Sequence, residues 1–315
     1  MDKKGVYAIR YVSQRTGLTP HVIRAWEKRY QAVIPRRSPK NRRLYSEDDV
    51  GRLQLLKRVT DAGHSISQVS GLTSSELAEL DQKGAPMTPW PSKNDGLHLQ
   101  RKAAQDYRSE CLSAVINLDP DRLNRAYDQA AVDLTRSALL KEIIVPLFQE
   151  IGSLWRNGSL KIINEHMATS VTRTLLLNML RATAVSDSAP RIVIATAVGQ
   201  WHDIGALTVA LTAAEYGWHS LYFGPNLPVE EIAAGVKQIR ARAVAISITH
   251  LLDRHSLVDE LRKLRRYIGN DLILFVGGQA VSECTQILKE INAKHIANVD
   301  QLREELNSVL TENVV

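Results

Sequence analysis

The 315-residue sequence predicts a multidomain chain of mixed α and α/β class: a winged helix-turn-helix, then a four-helix bundle, then a doubly wound, five-stranded parallel sheet. Two short helical stripes on either side of a tight turn, followed by a basic and proline-rich stretch, predict the first part. Helical periodicity over residues 105–183 predicts the second. Short apolar runs that alternate with helical segments from residue 192 onward predict the third.

The composition is typical of a globular protein with two or three domains, at about 150 residues per domain. Hydrophobic residues make up 44% of the chain, and the sequence holds no apolar run long enough to cross a bilayer. The N-terminus is polar where a signal peptide would have an apolar core. The two cysteines, Cys111 and Cys284, imply no disulfide framework. We therefore expect a cytoplasmic protein with no membrane partner.

Positive charge is concentrated at the N-terminal end of the chain. The whole sequence has 40 Lys and Arg residues against 34 Asp and Glu, a net charge of +6. Residues 1–80 alone hold 15 basic and 8 acidic residues, so their net charge of +7 exceeds that of the whole chain. Such an excess in one module indicates a polyanionic partner, most simply double-stranded DNA.

Residues 9–30 have the pattern of a helix, a tight turn and a second helix. Gly17 ends the first stripe, Thr19 is an N-cap residue, and Pro20 suits the first position of the second helix. The polar face of this second helix is basic and consists of His21, Arg24, Lys28 and Arg29. A short second helix with a basic outer face is typical of a recognition helix that enters the major groove.

Residues 36–43 are too basic and too rich in proline for a core element. They suit a wing that reaches DNA phosphates through Arg36, Arg37, Arg42 and Arg43. Ser46 is expected to cap the next helix, with Asp49 at the third helical position. One basic cluster could be a solvated face only, but two clusters at helix-then-wing spacing favour DNA binding.

The order of motifs in this region resembles the MerR family of winged-helix regulators. The motifs are R-A-W-E-K-R-Y at 24–30, P-x-R at 35–37, R-x-Y-S-x-x-D-V at 43–50 and A-G-H-S-I at 62–66. The resemblance implies a DNA-binding domain over residues 1–80 and an operator as its partner. The DNA contacts that it implies are Thr19, His21, Arg24, Lys28, Arg29, Tyr30, Arg36, Arg37, Arg42, Arg43 and Tyr45.

The middle of the chain divides into a linker and a helical bundle. Residues 81–104 are rich in proline and glycine, which is linker composition. Over residues 105–185, four helical stretches with short connections predict an antiparallel bundle. No coiled-coil heptads follow the winged helix, so a homo-oligomer, dimer or tetramer, would form through other surfaces.

Three signals fall where predicted strands end. His202 lies just past the first strand with Gly205 three residues later, Ser247 ends another strand, and Gly277-Gly278 follows a further one. In an open parallel sheet, ligands bind outside the carboxyl ends of the strands, so these residues are expected to converge on one crevice. Alone, His202 could be an exposed loop histidine, but the combined spacing favours a ligand site. The predicted strands are residues 192–197, 220–223, 244–248, 272–276 and 296–299.

This spacing resembles the cobalamin-binding motif D-x-H-x-x-G … S-x-L … G-G. The resemblance implies a Rossmann-like cobalamin-binding domain over residues 188–315, with His202 as lower axial ligand of cobalt. Gln200 stands where the family usually has an acidic residue that accepts a hydrogen bond from the ligand histidine, and Thr249 replaces the leucine. The cofactor contacts that the resemblance implies are Gln200, His202, Asp203, Ile204, Gly205, Ser247, Thr249, Gly277 and Gly278.

Within the bundle, the pattern W-x9-E-H joins Trp155 to Glu165 and His166. By itself Trp155 could be a core aromatic, but the whole pattern resembles the helical cap of CarH-type photoreceptor regulators, which covers the upper face of the corrin. The resemblance implies adenosylcobalamin between cap and sheet domain, with these three residues in the upper wall. Light-responsive relatives commonly carry a histidine after the tryptophan. Arg156 stands there instead, and it is a poor metal ligand because it stays protonated.

Together the resemblances predict a DNA-binding transcription regulator and not an enzyme: a repressor in which adenosylcobalamin and light control oligomerisation and operator binding. Two alternatives stay open. The chain could be a MerR-type regulator that senses another tetrapyrrole or a different ligand, as the departures at Gln200 and Arg156 allow. It could also be a corrinoid methyl carrier, which shares the bundle and sheet pair but lacks a winged helix.

Overall fold

A computed structural model describes residues 6–38, 42–61, 64, 66–82, 95–250, 253–281 and 285–311. Contacts divide the chain into two compact units, Met1–Thr172 and Arg173–Val315. The tip of the predicted wing, residues 39–41, and half of the predicted linker, residues 83–94, lie outside the described residues. Within the described part of the chain, no helix combines the length and the apolarity needed to cross a bilayer.

The first unit begins with the helix-turn-helix and wing that the sequence predicts. Its elements are β1 (Tyr7–Ala8), α1 (Ile9–Thr16), α2 (Pro20–Tyr30), β2 (Arg36–Arg37), β3 (Arg43–Tyr45), α3 (Glu47–Asp61), α4 (Ile66–Val69) and α5 (Ser74–Gln82). The strands form an antiparallel sheet in the order β1-β3-β2. The Oγ1 of Thr19 accepts a hydrogen bond from the N of Val22 at 3.2 Å, and so caps α2. Ser46 and Asp49 cap α3 reciprocally, with distances of 2.8 and 3.1 Å.

A single buried cluster holds this module together. Val12 of α1, Ile23 and Trp26 of α2, and Leu53 and Leu56 of α3 are at most 4% exposed. Burial of apolar side chains of this size supplies most of the stabilisation that such a small module can obtain. The same burial fixes the orientation of α2 and leaves its polar face outside the core.

The rest of the first unit is a helical bundle, whose last helix continues into the second unit. Its elements are α6 (Asp95–Ile116), α7 (Pro120–Asp133), α8 (Arg136–Ala138), a π-helical segment (Leu139–Ile144), α9 (Val145–Arg156) and α10 (Ile162–Arg181). The first helix begins at Asp95, within the segment predicted as linker. The proline-rich part of that segment ends at Pro91, and residues 97–104 are leucine, alanine and long polar residues that favour helix.

The third helix of the bundle changes its hydrogen-bond spacing before a proline. Pro146 has no backbone N–H, so the regular ladder cannot continue through it, and the preceding residues Leu139–Ile144 take a π-helical spacing. Leu139, Leu140, Ile143 and Ile144 are all fully buried. The wider turn therefore lies inside the core of the bundle.

The second unit contains the five-stranded parallel sheet that the sequence predicts, in the order β5-β4-β6-β7-β8. Its strands are β4 (Arg191–Ala197), β5 (His219–Leu227), β6 (Ala243–Ser247), β7 (Ile273–Gly277) and β8 (Lys294–Ile296). Its further helices are α11 (Ile204–Glu215), α12 (Val229–Gln238), α13 (Arg254–Ile268), α14 (Thr285–Glu290) and α15 (Val299–Thr311). The sheet order places β5 on one side of β4 and β6 on the other. The connections therefore run in opposite directions at β4, and a crevice opens beyond its carboxyl end.

The fifth strand differs from its predicted position. The sequence predicts a strand at 296–299, whereas β8 ends at Ile296 and Val299 begins α15. The Oδ1 of Asn298 accepts a hydrogen bond from the N of Gln301 at 2.9 Å, which is an N-cap interaction. This cap begins α15 at a position where the apolar pattern alone predicts that the strand continues.

Candidate functional site

The strand ends bring the predicted cofactor residues together at one edge of the sheet. Ser247 is opposite Gly277 in the register of β6 and β7. A Cβ built on Gly205 would lie 3.1 Å from the Oγ of Ser247. The Oγ1 of Thr249 donates to the carbonyl oxygen of His202 at 3.4 Å, so the loops after β4 and β6 meet. These five predicted residues therefore belong to one crevice.

Backbone packing requires glycine at the end of β7. A Cβ on Gly277 would lie 2.9 Å from the carbonyl oxygen of Ile296, and a Cβ on Gly278 would lie 2.2 Å from that of Ile248. Gly278 also has a φ of +112°, which side chains rarely allow. Larger residues would push the neighbouring backbone away, so the protein's own backbone contacts require small residues here.

The mouth of the crevice carries groups that fit a corrinoid cofactor. His202 is half-buried on the loop after β4 and offers an imidazole, the side chain that most often binds transition metals. Val198 and Trp201 on the same loop are 53% and 65% exposed, which gives apolar surface for a large macrocycle. A cavity of about 360 Å³ lies beside Val198 and is lined in part by Gln200 and His250, whereas His202 is not among its lining residues.

At the position where the resemblance implies an acceptor for His202, the Gln200 amide binds the backbone of the loop after β6. Gln200 is 5% exposed. The Oε1 accepts from the N of Thr249 at 2.9 Å and from the N of His250 at 3.1 Å. The Nε2 donates to the carbonyl oxygen of His250 at 2.6 Å. The sequence could not indicate this partner, which lies 50 residues away.

A buried carboxylate directly follows His202. Asp203 is fully buried, and its two oxygens accept hydrogen bonds from Arg173 at 2.9 and 2.7 Å. The hydroxyl of Tyr222 also donates to it. Burial, and then the bond to Asp203, raise the pKa of Tyr222 above its usual value. Asp203 thus anchors the His202 loop within the protein, and the neighbouring Ile204 is buried at the start of α11.

The cap motif of the bundle lies on the surface of the first unit. Trp155 is 44% exposed at the end of α9. The side chain of His166 is 71% exposed, and its Nε2 lies 3.7 Å from the Oε2 of Glu165. Ile162 and Ile163 at the start of α10 are also more than half exposed. Trp155 is therefore not a buried core aromatic.

Most of the predicted DNA contacts lie on the surface of the helix-turn-helix module. Only the place of His21 in α2 is described, and not its side chain. The exposed members of the set are Thr19, Arg24, Lys28, Arg29, Arg36, Arg37 and Arg42. Basic side chains of α2 and of the described part of the wing are therefore exposed.

Two predicted contacts have other partners. Tyr45 is fully buried, so its ring belongs to the core and a direct DNA contact through that ring is not what the structure shows. Arg43 donates to both carboxylate oxygens of Glu27 at 3.0 and 2.8 Å. The Tyr45 hydroxyl donates to the same carboxylate at 3.4 Å. These residues join the wing to α2 and position both.

The end of α7 docks against the recognition helix within the first unit. Asp133 accepts from Arg29 at 2.8 Å, from the Tyr30 hydroxyl at 3.4 Å and from the Tyr107 hydroxyl. Burial, with Asp133 nearby, raises the pKa of Tyr107 to about 12. Val132 is buried in the core of the helix-turn-helix module. Two predicted DNA contacts, Arg29 and Tyr30, are thus held by the bundle.

We expect Asp133→Asn to strengthen DNA binding by a few-fold. The Arg29 side chain is 52% exposed, so its pair with Asp133 is worth about 1 kcal/mol or less, and its loss frees a guanidinium for phosphate. Titration of a short duplex of arbitrary sequence at fixed low salt measures the change. Asp121→Asn, at the other end of α7, removes the same charge and is the control. Equal affinities for the two variants would contradict the idea that Asp133 competes with DNA phosphate for Arg29.

Three family profiles match separate parts of the chain. A profile described as "MerR HTH family regulatory protein" matches residues 7–76. Two profiles, both described as "B12 binding domain", match residues 107–177 and residues 190–297. The three matches fall on the helix-turn-helix module, on the bundle and on the sheet.

Two relatives align with nearly the whole chain. It is 28% identical over 294 residues to the HTH-type transcriptional repressor CarH of Myxococcus xanthus. The alignment covers 92% of this chain and 94% of that protein. It is 25% identical over 295 residues to the HTH-type transcriptional repressor CarA of the same organism, covering 93% and 94%.

A solved structure shares the fold. The monomethylamine corrinoid protein of Methanosarcina barkeri superposes with a TM-score of 0.55 at 14% identity, over 65% of this chain and 99% of that one. At this identity the likeness concerns the fold alone. The chain is therefore a homologue of the CarH and CarA transcriptional repressors that carries a MerR-family helix-turn-helix domain and two B12-binding domains.

Proposed function

We propose that the chain is a repressor whose operator binding depends on adenosylcobalamin and on light. One observation carries the proposal: His202, Ser247 and Gly277 converge on one crevice in a chain that also presents a basic recognition helix. The B12-binding and MerR profiles support it. In this proposal the protein is a regulator and not an enzyme, and it acts on double-stranded DNA in the cytoplasm.

In the proposed function, each group of residues has a separate task. His202 would hold the cobalt, and the crevice at the strand ends would take the nucleotide tail. Trp155, Glu165 and His166 line the adenosyl side. When bound, adenosylcobalamin supplies a cobalt–carbon bond that visible light can break. Arg156 would not bind cobalt, because a guanidinium offers hydrogen-bond donors and no acceptor.

Helix α7 offers a physical route from the bundle to DNA. It belongs to the bundle, and its last residue, Asp133, binds Arg29 of the recognition helix, while Val132 is buried among the side chains of the same module. A displacement of the end of α7 would change both contacts together. We propose that such displacement alters a homo-oligomer, dimer or tetramer, that places the winged helices on DNA.

The test uses the full chain and its own genomic DNA. The purified protein is mixed with adenosylcobalamin in the dark, its absorption spectrum is recorded, and the retained genomic fragments are measured before and after green light. We expect uptake of the cofactor, retention of specific fragments in the dark, and their release after illumination. Failure to bind any corrinoid would overturn the proposal. If the same fragments are retained equally before and after illumination, light is not part of the function.

A corrinoid methyl carrier is the second candidate, because a corrinoid protein of that fold superposes over 99% of its own length. The exposed basic residues of α2 and of the wing argue against this candidate. Specific DNA retention by the corrinoid-loaded protein at physiological salt would exclude it. Corrinoid uptake without any DNA binding would favour it over the repressor.

The wing should contribute to DNA affinity through phosphates. Arg42 is exposed, and its backbone closes the wing turn through two hydrogen bonds with Ser38, at 2.8 and 3.1 Å. Loss of one phosphate contact reduces the slope of log affinity against log salt by about one unit and weakens all sequences alike. Titration of Arg42→Ala at several salt concentrations measures that slope, with Arg266→Ala on α13 as the control. If Arg42→Ala keeps the wild-type slope and affinity, the wing does not contact DNA.

A further inference from the structure

We propose that His250 positions the imidazole of His202 for cobalt, and that Gln200 supports the ligand through His250. This inference rests on the proposed cobalamin function and explains the departure at Gln200. It assigns a role to a histidine that belongs to none of the sequence motifs.

The rings of His202 and His250 are in contact. The centroids of the His202 and His250 rings are 4.8 Å apart, and the ring planes meet at 63°, which is an edge-to-face arrangement. One ring comes from the loop after β4 and the other from the loop after β6. Both are half-buried, so each ring restricts the rotation of the other while solvent still reaches the crevice.

Gln200 clamps the backbone of His250 with both ends of its amide. The Nε2 donates to the His250 carbonyl oxygen at 2.6 Å, and the Oε1 accepts from the His250 N at 3.1 Å. A carboxylate at this position accepts hydrogen bonds but has no proton to donate, so it could make only half of the clamp. Glutamine is therefore the residue type that this arrangement needs. Because the clamp is buried and both ends are bonded, it holds residue 250 firmly.

In this arrangement, the side chain that orients the His202 ring is at position 250 and not at position 200. A metal-bound histidine is normally held by a partner that fixes its ring orientation. The Gln200 amide is occupied by Thr249 and His250, whereas the His250 ring contacts the His202 ring. Two loops that approach the crevice from different strands thus fix the axial imidazole together. The chain has a neutral, indirect substitute for the usual acidic residue.

The experiment combines three variants with a matched control. His250→Ala removes the ring, and Gln200→Glu keeps the acceptor but loses the donor. The double variant tests whether the two act by one route. His255→Ala removes an exposed histidine from α13 in the same unit and is the control. Melting curves of the cofactor-free proteins check that all variants fold.

Three readouts follow the His202 imidazole. With cob(II)inamide, which lacks the cofactor's own benzimidazole base, as the probe, the electron paramagnetic resonance spectrum shows a nitrogen triplet only when a protein nitrogen binds cobalt. Titration gives the affinity. In the cofactor-free protein, proton resonances of the His202 ring report the neighbouring His250 ring directly.

We expect His250→Ala to lower cobalamin affinity by about 10–100-fold, to weaken the triplet, and to shift the His202 resonances without cofactor. Gln200→Glu should show a smaller loss, and the double variant should be no weaker than His250→Ala. A full triplet and wild-type affinity in His250→Ala would overturn the proposal, as would losses that add in the double variant. If the wild type shows no triplet, or His202→Ala retains it, the cobalamin ligand assignment fails instead.

Discussion

A His202→Ala variant is expected to lose the imidazole-bound form of cobalamin and at least about 100-fold in affinity. Residues that merely orient a metal-bound histidine are worth about 10–100-fold, and the ligand itself must contribute at least as much. The loop that carries His202 is held independently of the imidazole, because the buried Asp203 carboxylate binds Arg173 and Tyr222. The loss should therefore concern the ligand and not the fold.

Titration with cobalamin, followed by absorption, measures this loss. His219→Ala is the control, since His219 is exposed at the start of β5, at the opposite end of the sheet strands. The cofactor-free melting temperatures of His202→Ala and the wild type should agree within a few degrees. If the variant binds cobalamin with the wild-type spectrum and affinity, another group holds the cobalt and the assignment of His202 is wrong.

Much of the fold and of the crevice could be predicted because both follow from local patterns. Periodicity located the helices of the bundle and four of the strands within a few residues. Parallel strands end at one edge, so Ser247 and Gly277 could be placed together without any knowledge of contacts. The fifth strand could not be placed in this way. Asn298 caps a helix that begins at Val299, where the apolar pattern predicts a strand.

The polar contacts could not be predicted because their partners are distant in sequence. Arg173 meets Asp203 over 30 residues, and Gln200 meets His250 over 50. Arg29 meets Asp133 over 104 residues. Each pairing depends on how helices and loops pack in three dimensions, and no local period records that. Sequence patterns can therefore name the ligand candidate but not the residues that orient it.

Replacing Gly278 with alanine is expected to cost more than about 3 kcal/mol of stability, which is above the common range for single substitutions. Two separate effects add. The φ of +112° disfavours any side chain, and the new Cβ would lie 2.2 Å from the carbonyl oxygen of Ile248. That carbonyl accepts a hydrogen bond from Ala280, and the Ile248 N donates to Gly277, so the backbone cannot move aside without breaking these bonds.

Gly217→Ala separates the two effects. Gly217 has a φ of +78° in the same unit, but nothing lies within 4 Å of a Cβ built on it. Its substitution should therefore cost only the conformational strain, about 1–2 kcal/mol. Urea unfolding of both variants in the absence of cofactor measures the difference. Equal losses would mean that the backbone at Ile248 yields freely. The crevice would then tolerate larger side chains at the end of β7, and the close approach there would not be what demands glycine.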